Sequence, residues 1–385
     1  MAVLDFHVRD CHIFIEALPL YNKNLQMQMK NIILSVILAC AVVVDAAACT
    51  SAIISGSLTA DGRPILWKHR DTSDLNNKVE RIDVAGKIPY VALFNSSDKE
   101  CREAWMGMND AGFAIMNTAS YNLKNDTVSV MDKEGVVMAM ALGKCRTVDD
   151  FACLLDTLSK PHGVEANFGV IDAYGNAAYF ETDNWKYARF DVDDYLIRTN
   201  YSDSGRKEEG FGYVRRHTAE HLLAPYFASA SVTPAVMTEV LSRSFYHSLI
   251  GKDFETDSVD WTTDNDFIPR RISSASVVIQ GVVAPGKVKD MVMWTVLGYP
   301  PCGVVSPVRT DNVPLELRAD SATGNAPACD KANELKKQVF SFTYDNGKNY
   351  INLRALFKPD GTGISQQCHC ESMEVYEKYG IKLEK

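Results

Sequence analysis

Cys49 is the residue of this sequence best placed to act as a nucleophile. It follows an apolar block at residues 32–44, Asp45 and three alanines. If the chain is cut after Ala48, the Cys49 thiol lies beside a free α-amine on the same residue. The ordinary pKa of an α-amine is about 7.7–8.0, so near neutrality part of it is unprotonated and can accept the thiol proton. Nucleophile and base then belong to one residue, the N-terminal variant of nucleophilic catalysis.

The apolar block at residues 32–44 has the features of a secretory signal peptide. Its sequence is IILSVILACAVVV, it follows Lys30, and small residues precede Cys49. It is too short to span a membrane. Because the block starts so far into the chain, the simplest interpretation is that translation starts at Met29 or Met27 and the residues before are a gene-model extension. We expect residues 1–48 to be removed and the protein to be exported, as a periplasmic or secreted protein.

Three other interpretations of this region stay open. The apolar block also matches a buried N-terminal helix, although an unbroken apolar run leaves no polar face. Cys49 also matches the anchor of a lipid-anchored binding protein, although such signals usually carry Leu where this chain has Ala46. It also matches an ordinary strand cysteine. The mass of the mature N-terminus separates free Cys49, which supports catalysis, from a diacylglyceryl anchor.

Further polar residues that suit acyl chemistry follow Cys49 in a definite order. They are the run Lys68-His69-Arg70-Asp71, the segment GMNDAGFAIMN at residues 107–117, Asn200 at the end of a predicted strand, and the pair Arg270-Arg271. Taken one at a time, each has an ordinary structural interpretation. Residues 68–71 match a solvated charge cluster, and residues 107–117 contain a hairpin turn. Asn200 matches a strand-end asparagine, and Arg270-Arg271 a surface charge pair. The order of these elements after Cys49 is what points to a common site.

In this order the residues resemble the cysteine-type N-terminal nucleophile (Ntn) hydrolase superfamily. The resemblance is to the choloylglycine hydrolase and penicillin V acylase group, acid ceramidase, and the acyl-CoA:6-aminopenicillanic acid acyltransferase-like branch, also called peptidase C45. Such chains begin Cys-Thr, as Cys49-Thr50 does, and then carry an Arg-Asn-x-Asp element, which residues 68–71 match in part. Residues 107–117 resemble the family's GMNEKGL…N element.

The resemblance implies a role for three polar residues around the Cys49 thiol. Asp71 would hold the α-amine by hydrogen bonding. Asn200 would donate its side-chain amide to the oxyanion, and a backbone N–H near Asn117 would be the second donor. Losing one such donor costs about 10²–10³ in rate.

The resemblance also implies basic residues around the thiolate, and here the sequence departs from the family. Lys68 stands where the family usually has arginine, and His69 where it has asparagine. A lysine is a point charge and does not copy a bidentate arginine. Arg70 carries a guanidinium, but strand alternation directs it with Lys68 and not with Asp71. Arg271 lies near the position of a late active-site arginine.

The function that the resemblance implies is hydrolysis of a linear carbon–nitrogen amide bond through an acyl-enzyme on Cys49. An acyltransferase of the C45 type, passing the acyl group to an amine, is the alternative within enzymes. A third possibility is a family member that keeps the fold and has lost activity. The expected partner is a small-molecule acyl amide, and no cofactor is implied. The superfamily often forms homo-oligomers, and no feature of this sequence decides that question.

The C-terminal run Cys368-His369-Cys370 is the one pattern that suggests a metal. On a strand only Cys368 and Cys370 would point together, whereas a zinc site needs about four ligands. We therefore expect a disulfide or two free thiols there.

The pattern of predicted elements favours antiparallel sheets covered by helices, because strands and helices come in runs and do not alternate strictly. The resemblance makes this an α+β, four-layer αββα sandwich in a single domain at residues 49–385. Strands are predicted at residues 49–56, 64–70, 167–173, 177–182, 186–191, 195–200, 274–283 and 290–297, and helices at 147–158, 212–223, 234–242 and 331–339.

The composition excludes two other classes of protein. The net charge of −9 without a basic cluster argues against nucleic-acid binding. Only one apolar run approaches membrane length, which excludes a multi-span membrane protein.

Overall fold

The structure is a computed structural model that describes residues 48–256, 259–264, 266–284 and 286–383. All of them lie in Ala47–Lys385, the second of two units into which the chain divides. The predicted signal segment lies outside the described residues except for Ala48. Every helix within the described ranges is too short or too polar to cross a membrane.

Two antiparallel sheets dominate the described residues. The six-stranded sheet has the order β10-β1-β2-β14-β15-β16, and the seven-stranded sheet runs from β3 to β9 in sequence order. The strands are β1 Thr50–Ile54, β2 Ile65–Asp71, β3 Asn77–Ile82, β4 Tyr90–Asn95, β5 Met106–Asn109, β6 Ala114–Ala119, β7 Ala166–Ile171, β8 Ala177–Thr182, β9 Tyr187–Asp191, β10 Tyr195–Arg198, β11 Tyr246–His247, β12 Lys252–Asp253, β13 Trp261–Thr263, β14 Ser273–Gln280, β15 Val292–Leu297, β16 Ser306–Val308 and β17 Tyr350–Asn352.

Helices follow the strands in groups, as the sequence pattern predicts. They are α1 Glu134–Leu142, α2 Val148–Thr157, α3 Tyr213–Ala228, α4 Pro327–Val339, α5 Leu353–Leu356 and α6 Ile364–Glu377, with a π-helical segment at Val236–Leu241. Thr147 begins α2 with the predicted cap: its side chain accepts from the Asp150 N–H while the Asp150 carboxylate accepts from the Thr147 N–H.

Alternation along the strands divides the apolar residues into layers. Ile53 of β1 and Leu66 of β2 point toward the other sheet and pack in one cluster with Leu93 and Met116. On the outer face of the seven-stranded sheet, Phe151 of α2 packs in a separate cluster. The molecule therefore has a core between the sheets and a further core under each helical layer.

The outer face of the six-stranded sheet is covered in the same way. Trp67 of β2 packs there with Leu223 of α3 and Tyr376 of α6. Helices, two sheets and helices thus form four layers, which confirms the predicted αββα arrangement.

The prediction of a strand at Cys368 and Cys370 is wrong, because both lie in α6. Buried residues there recur at Ser365, Cys368, Ser372 and Tyr376, a helical period that a three-residue window does not show. In a helix Cys368 and Cys370 point apart, and Cys368 is buried while Cys370 is exposed. All eight cysteines of the described chain are free thiols, and no group of three metal-ligating side chains occurs there.

The buried side-chain amide of Asn167, in β7, binds the loop after β10 to the seven-stranded sheet. Asn167 Nδ2 lies 3.2 Å from the Thr199 carbonyl oxygen and 3.1 Å from that of Tyr201. Its Oδ1 accepts a hydrogen bond of 2.5 Å from Ser202 Oγ. Because these partners flank Asn200, Asn167 fixes the position of that residue.

Asn167→Ala should lower the free energy of unfolding by about 2–4 kcal/mol, because it leaves buried carbonyl and hydroxyl groups without partners. Urea unfolding followed by circular dichroism measures the change. Asn125→Ala, at an exposed position, is the matched control and should change stability little. A loss no larger than that of the control would contradict the role given to Asn167.

Candidate active site

A cavity of about 250 Å³ opens between the two sheets beside Cys49. It collects most of the residues that the sequence predicts for acyl chemistry. Its lining residues are Cys49, Lys68, Arg70, Asp71, Thr72, Asn95, Trp105, Asn117, Ala119, Ser120, Tyr121, Lys124, Met131, Asp132, Glu134 and Glu165.

The register of β1 against β2 places Cys49 among cations. Thr50 pairs with His69 and Ile53 with Leu66. Since Ile53 and Leu66 face the core between the sheets, alternation turns Cys49, Lys68 and Arg70 to that same face. The predicted grouping of Arg70 with Lys68 is thereby confirmed. The Cys49 side chain is buried, and its Sγ lies 3.8 Å from the carbonyl oxygen of Asp71.

Lys68 connects the two sheets through its ammonium group. Nζ donates to Asn117 Oδ1 at 2.7 Å and to the Trp105 carbonyl oxygen at 3.0 Å. Burial lowers the pKa of Lys68 from 10.5 to about 8, and the nearby Cys49 opposes that shift. Lys68 is thus largely cationic at pH 7. With Oδ1 of Asn117 accepting from Lys68, the donor end of that amide is turned away from the ammonium.

Arg70 is held rigidly in the same cavity. Its two terminal nitrogens donate to the side-chain oxygens of Asn77 and Asn95, the second at 2.8 Å. The guanidinium carbon lies 4.9 Å from the centre of the Trp105 ring. Burial lowers the pKa of Arg70 from 12.5 to about 10, so it too is cationic at neutral pH.

The Asp71 carboxylate belongs to a hydrogen-bonded network on the opposite face of β2. Its Oδ1 accepts from Ser273 Oγ at 2.6 Å, and its Oδ2 accepts from Arg270 Nε at 3.1 Å. Arg270 also donates to the Ala48 carbonyl oxygen at 3.3 Å. Arg270 therefore links Asp71 to the peptide group that precedes Cys49. The predicted bond from Asp71 to a free α-amine stays a prediction.

His69 has a place in this network, although it departs from the family's asparagine. Its Nε2 lies 2.9 Å from Ser273 Oγ. Because Ser273 gives its single hydroxyl proton to Asp71, it must accept from His69, so the His69 proton is assigned to Nε2. Burial lowers the pKa of His69 from 6.5 to about 4, so the ring is neutral. The Nδ1 atom has no hydrogen-bond partner among the described residues.

Asn200 is fully buried and is hydrogen-bonded to Ala119, a residue of the cavity lining. Its Nδ2 donates to the Ala119 carbonyl oxygen, and its Oδ1 accepts from Arg215, each at 2.9 Å. Arg215 also donates to the Cys49 carbonyl oxygen at 2.7 Å. Arg215 thus joins Asn200 to the candidate nucleophile. The oxyanion role of Asn200 stays a prediction.

Sequence reasoning did not find Arg215, because nothing local separates it from Arg216 next to it. Both lie in α3, but Arg215 is fully buried and pairs with Asp266 at 2.8 Å, while the Arg216 side chain is partly exposed and pairs with Asp203. Only the packing of the helix against β1 distinguishes them.

The placement of Arg271 at the site is wrong, because the structure brings its neighbour Arg270 there instead. Arg271 Nε donates to Asn349 Oδ1 at 2.7 Å, at an exposed position. Consecutive side chains at the entry to a strand point to opposite sides, and it is Arg270 that points at Asp71.

Glu134 adds a buried carboxyl group to the cavity wall. It begins α1, and its Oε1 accepts from the Glu165 N–H at 2.9 Å. Burial raises the pKa of Glu134 from 4.5 to about 7. The sequence gives no sign of this, since a glutamate at a helix start is ordinarily exposed.

Comparison with known proteins gives one family match and several similar solved structures. Residues 99–235 match the family model described as acyl-coenzyme A:6-aminopenicillanic acid acyl-transferase. The match confirms the predicted resemblance over that segment, which includes Asn117 and Asn200 but not Cys49, Asp71 or Arg270. No curated protein sequence matches the chain significantly.

Several solved structures are similar at low identity. An N-acylethanolamine-hydrolyzing acid amidase ortholog from Caenorhabditis elegans is 12% identical, with 60% of this chain and 92% of that chain covered and a TM-score of 0.40. A mutant conjugated bile acid hydrolase from Clostridium perfringens is 10% identical, covering 69% and 93%, with a TM-score of 0.43. Penicillin V acylase from Agrobacterium tumefaciens is 13% identical, covering 69% and 87%, with a TM-score of 0.41. At sequence identities this low, the activities of these proteins cannot be assigned to this chain.

Glu134→Gln should change how stability depends on pH. Because the pKa of Glu134 is higher in the folded protein than in the unfolded chain, the stabilisation it gives is complete below pH 4.5 and is lost as the pH rises through 7. Between pH 5 and pH 8, the free energy of unfolding of Glu134→Gln should rise by about 2–3 kcal/mol relative to that of the unmutated protein. Urea unfolding at the two pH values measures this.

Glu100→Gln, at an exposed position, is the control for that comparison. Stability curves for Glu134→Gln and the unmutated protein that run parallel from pH 5 to pH 8 would refute the raised pKa of Glu134.

Proposed function

We propose that this protein is an amide hydrolase whose nucleophile is the thiol of Cys49, exposed as the first residue after removal of residues 1–48 during export. The observation that carries the proposal is the placement of the buried Cys49 thiol in one cavity with Lys68 and Asn117. Behind it, Arg270 donates both to Asp71 and to the carbonyl oxygen of the peptide group whose nitrogen would become the α-amine.

The first half of the reaction moves one proton and forms one bond. The α-amine of Cys49 takes the thiol proton, and the thiolate attacks the amide carbonyl. The carbonyl oxygen gains negative charge, for which the Asn200 amide and a backbone N–H near Asn117 are the proposed donors. The ammonium of Lys68 favours negative charge in the same space. The tetrahedral intermediate then collapses as the α-ammonium protonates the leaving nitrogen.

The second half repeats these steps with water. The α-amine accepts a proton from water, hydroxide attacks the thioester, and the acid leaves while Cys49 regains its proton. Asp71 is proposed to hold the amine in position throughout. Ser273 and Arg270 each bond one oxygen of the Asp71 carboxylate, which fixes its orientation.

An acyltransferase is the second candidate function, favoured by the family that residues 99–235 match. The same acyl-enzyme would be attacked by an amine in place of water. Product analysis with and without an added amine acceptor separates the two: free acid alone supports hydrolysis, and a new amide that displaces it supports transfer.

Cys49→Ala should abolish amide cleavage, by at least about 10⁴-fold, because no other group supplies the nucleophile. Cys49→Ser should keep weak activity at best. A panel of linear acyl amides, followed by release of the acid, measures this. Cys153→Ala removes an exposed thiol and is the control, with activity unchanged. Turnover retained by a folded Cys49→Ala protein would contradict the proposal that Cys49 is the nucleophile.

The alkaline side of the pH profile should depend on Lys68. Because the pKa of Lys68 is about 8, its ammonium loses its proton above that pH and the rate should fall. Lys68→Arg keeps the charge and should move this limb upward by about one pH unit or more. Initial rates from pH 6 to pH 10 test it. If the α-amine alone determines the alkaline side of the profile, Lys68→Arg will not shift it, and the role given to Lys68 is contradicted.

A further inference from the structure

Arg215 is a fully buried arginine that contacts both the candidate nucleophile and the proposed oxyanion donor. Its Nη1 donates to the Cys49 carbonyl oxygen at 2.7 Å and to Thr50 Oγ1 at 3.0 Å. Its Nη2 donates to Asn200 Oδ1 at 2.9 Å. Its Nε donates to Asp266 Oδ1 at 2.8 Å, and that carboxylate neutralises the buried charge. Because a guanidinium is planar and rigid, these bonds fix the start of β1 relative to Asn200.

The contact with Arg215 decides which way the Asn200 amide points. The oxygen and nitrogen ends of an amide are similar in size, and the surrounding hydrogen bonds select the orientation. A guanidinium carries only donors, so the end of the amide that faces Arg215 must be Oδ1. The Nδ2 end then lies 2.9 Å from the carbonyl oxygen of Ala119, which lines the cavity beside Cys49. Arg215 therefore directs the donor end of Asn200 to the cavity wall.

The backbone before α3 is arranged around this guanidinium. Asn200 and Phe211 exchange backbone hydrogen bonds of 3.1 and 3.2 Å, which hold the segment before α3 beside Asn200. Gly212, the residue that precedes α3, has a φ of +91°, a conformation that favours glycine. A Cβ atom at Gly212 would lie 2.4 Å from Arg215 Nη2, so a side chain there would displace the guanidinium.

We propose that Arg215 is a positioning residue for amide hydrolysis, which holds the Asn200 amide with Nδ2 as the oxyanion donor and holds Cys49 in place beside it. Arg215 is not among the described residues that line the cavity, so it acts through Asn200 and Cys49 and not on the substrate. The inference rests on the proposed hydrolase function and adds to it the residue that orients the donor.

Arg215→Lys and Arg216→Lys are a matched pair that test this role. Lysine at position 215 keeps the positive charge, but one ammonium does not copy the planar fork that holds the Cys49 carbonyl and Asn200 together. We expect the kcat of Arg215→Lys to fall by about 10-fold or more with KM little changed, because the donor acts on charge that develops in the transition state. Arg216→Lys, at a partly exposed position of the same helix, should leave kcat nearly unchanged. An unchanged kcat in Arg215→Lys would overturn the proposal.

The reactivity of the Cys49 thiol separates positioning from damage to the fold. Alkylation by iodoacetamide needs the thiolate but no oxyanion donor, so the mature Arg215→Lys and unmutated proteins should be alkylated at Cys49 at the same rate. Mass spectrometry of the peptide that contains Cys49 measures that rate. A loss of alkylation rate as large as the loss of kcat would mean that Arg215 only supports the structure, and it would overturn the proposal.

A double-mutant cycle with Asn200→Ala tests whether Arg215 acts through Asn200. Arg215→Gln and Asn200→Ala should each lower kcat by about 10²-fold, and the double variant should lose little more than either one. Losses that multiply to about 10⁴-fold would show two independent effects and would overturn the proposal. If Arg215→Gln does not fold, Arg215→Lys takes its place in the cycle.

The same assays separate a failure of this inference from a failure of the proposed function. If the unmutated protein cleaves no amide, the hydrolase function fails and the role of Arg215 fails with it. If the unmutated protein and the Arg215 variants cleave amides equally well, the hydrolase function stands and only the role of Arg215 fails.

Discussion

The burial of Lys68 and Arg70 on one face of β2 is the constraint on which the rest of the site depends. Each cation is buried and faces the space between the sheets, and no described carboxylate lies within ion-pair distance of it. Neutral groups hold both in place, namely Asn117, Asn77, Asn95 and the backbone of Trp105. The two cations therefore lie beside the Cys49 thiol, where they favour a thiolate or an oxyanion. Asp71, Asp132, Glu134 and Glu165 line the same cavity.

The opposite face of the same strand carries a separate ion pair. Asp71 lies there with Arg270 and Ser273, and neutral His69 completes the network through Ser273. Strand alternation keeps the carboxylate apart from the cations although they are adjacent in sequence. Only at the start of β1, at the peptide group between Ala48 and Cys49, do the two faces come together, since Arg270 reaches the Ala48 carbonyl oxygen from behind.

Much of this arrangement follows from the sequence because it depends on local pattern. The strands at β1 and β2, the turn before β6 and the capped helix α2 are visible in alternation, turn residues and a cap, and they set the facing of Lys68 and Arg70. Arg215 and Glu134 were out of reach because their burial depends on helices packing against distant strands. The choice between Arg270 and Arg271 depends on where β14 begins, and a one-residue shift reverses the facing of a side chain. The short cysteine run at residues 368–370 was misassigned because its helical period emerges only over four turns of α6.

The most direct measurement of the central claim is the location of the acyl group on the enzyme during turnover. The mature protein, mixed with an acyl amide and quenched in acid, is digested and its peptides are analysed by tandem mass spectrometry. The account predicts a peptide that begins at Cys49 with a free α-amine and carries the acyl mass on its thiol, while Cys145 and Cys153 remain unmodified. An acyl group on any other residue, or turnover by a protein whose chain still extends before Cys49, would contradict it.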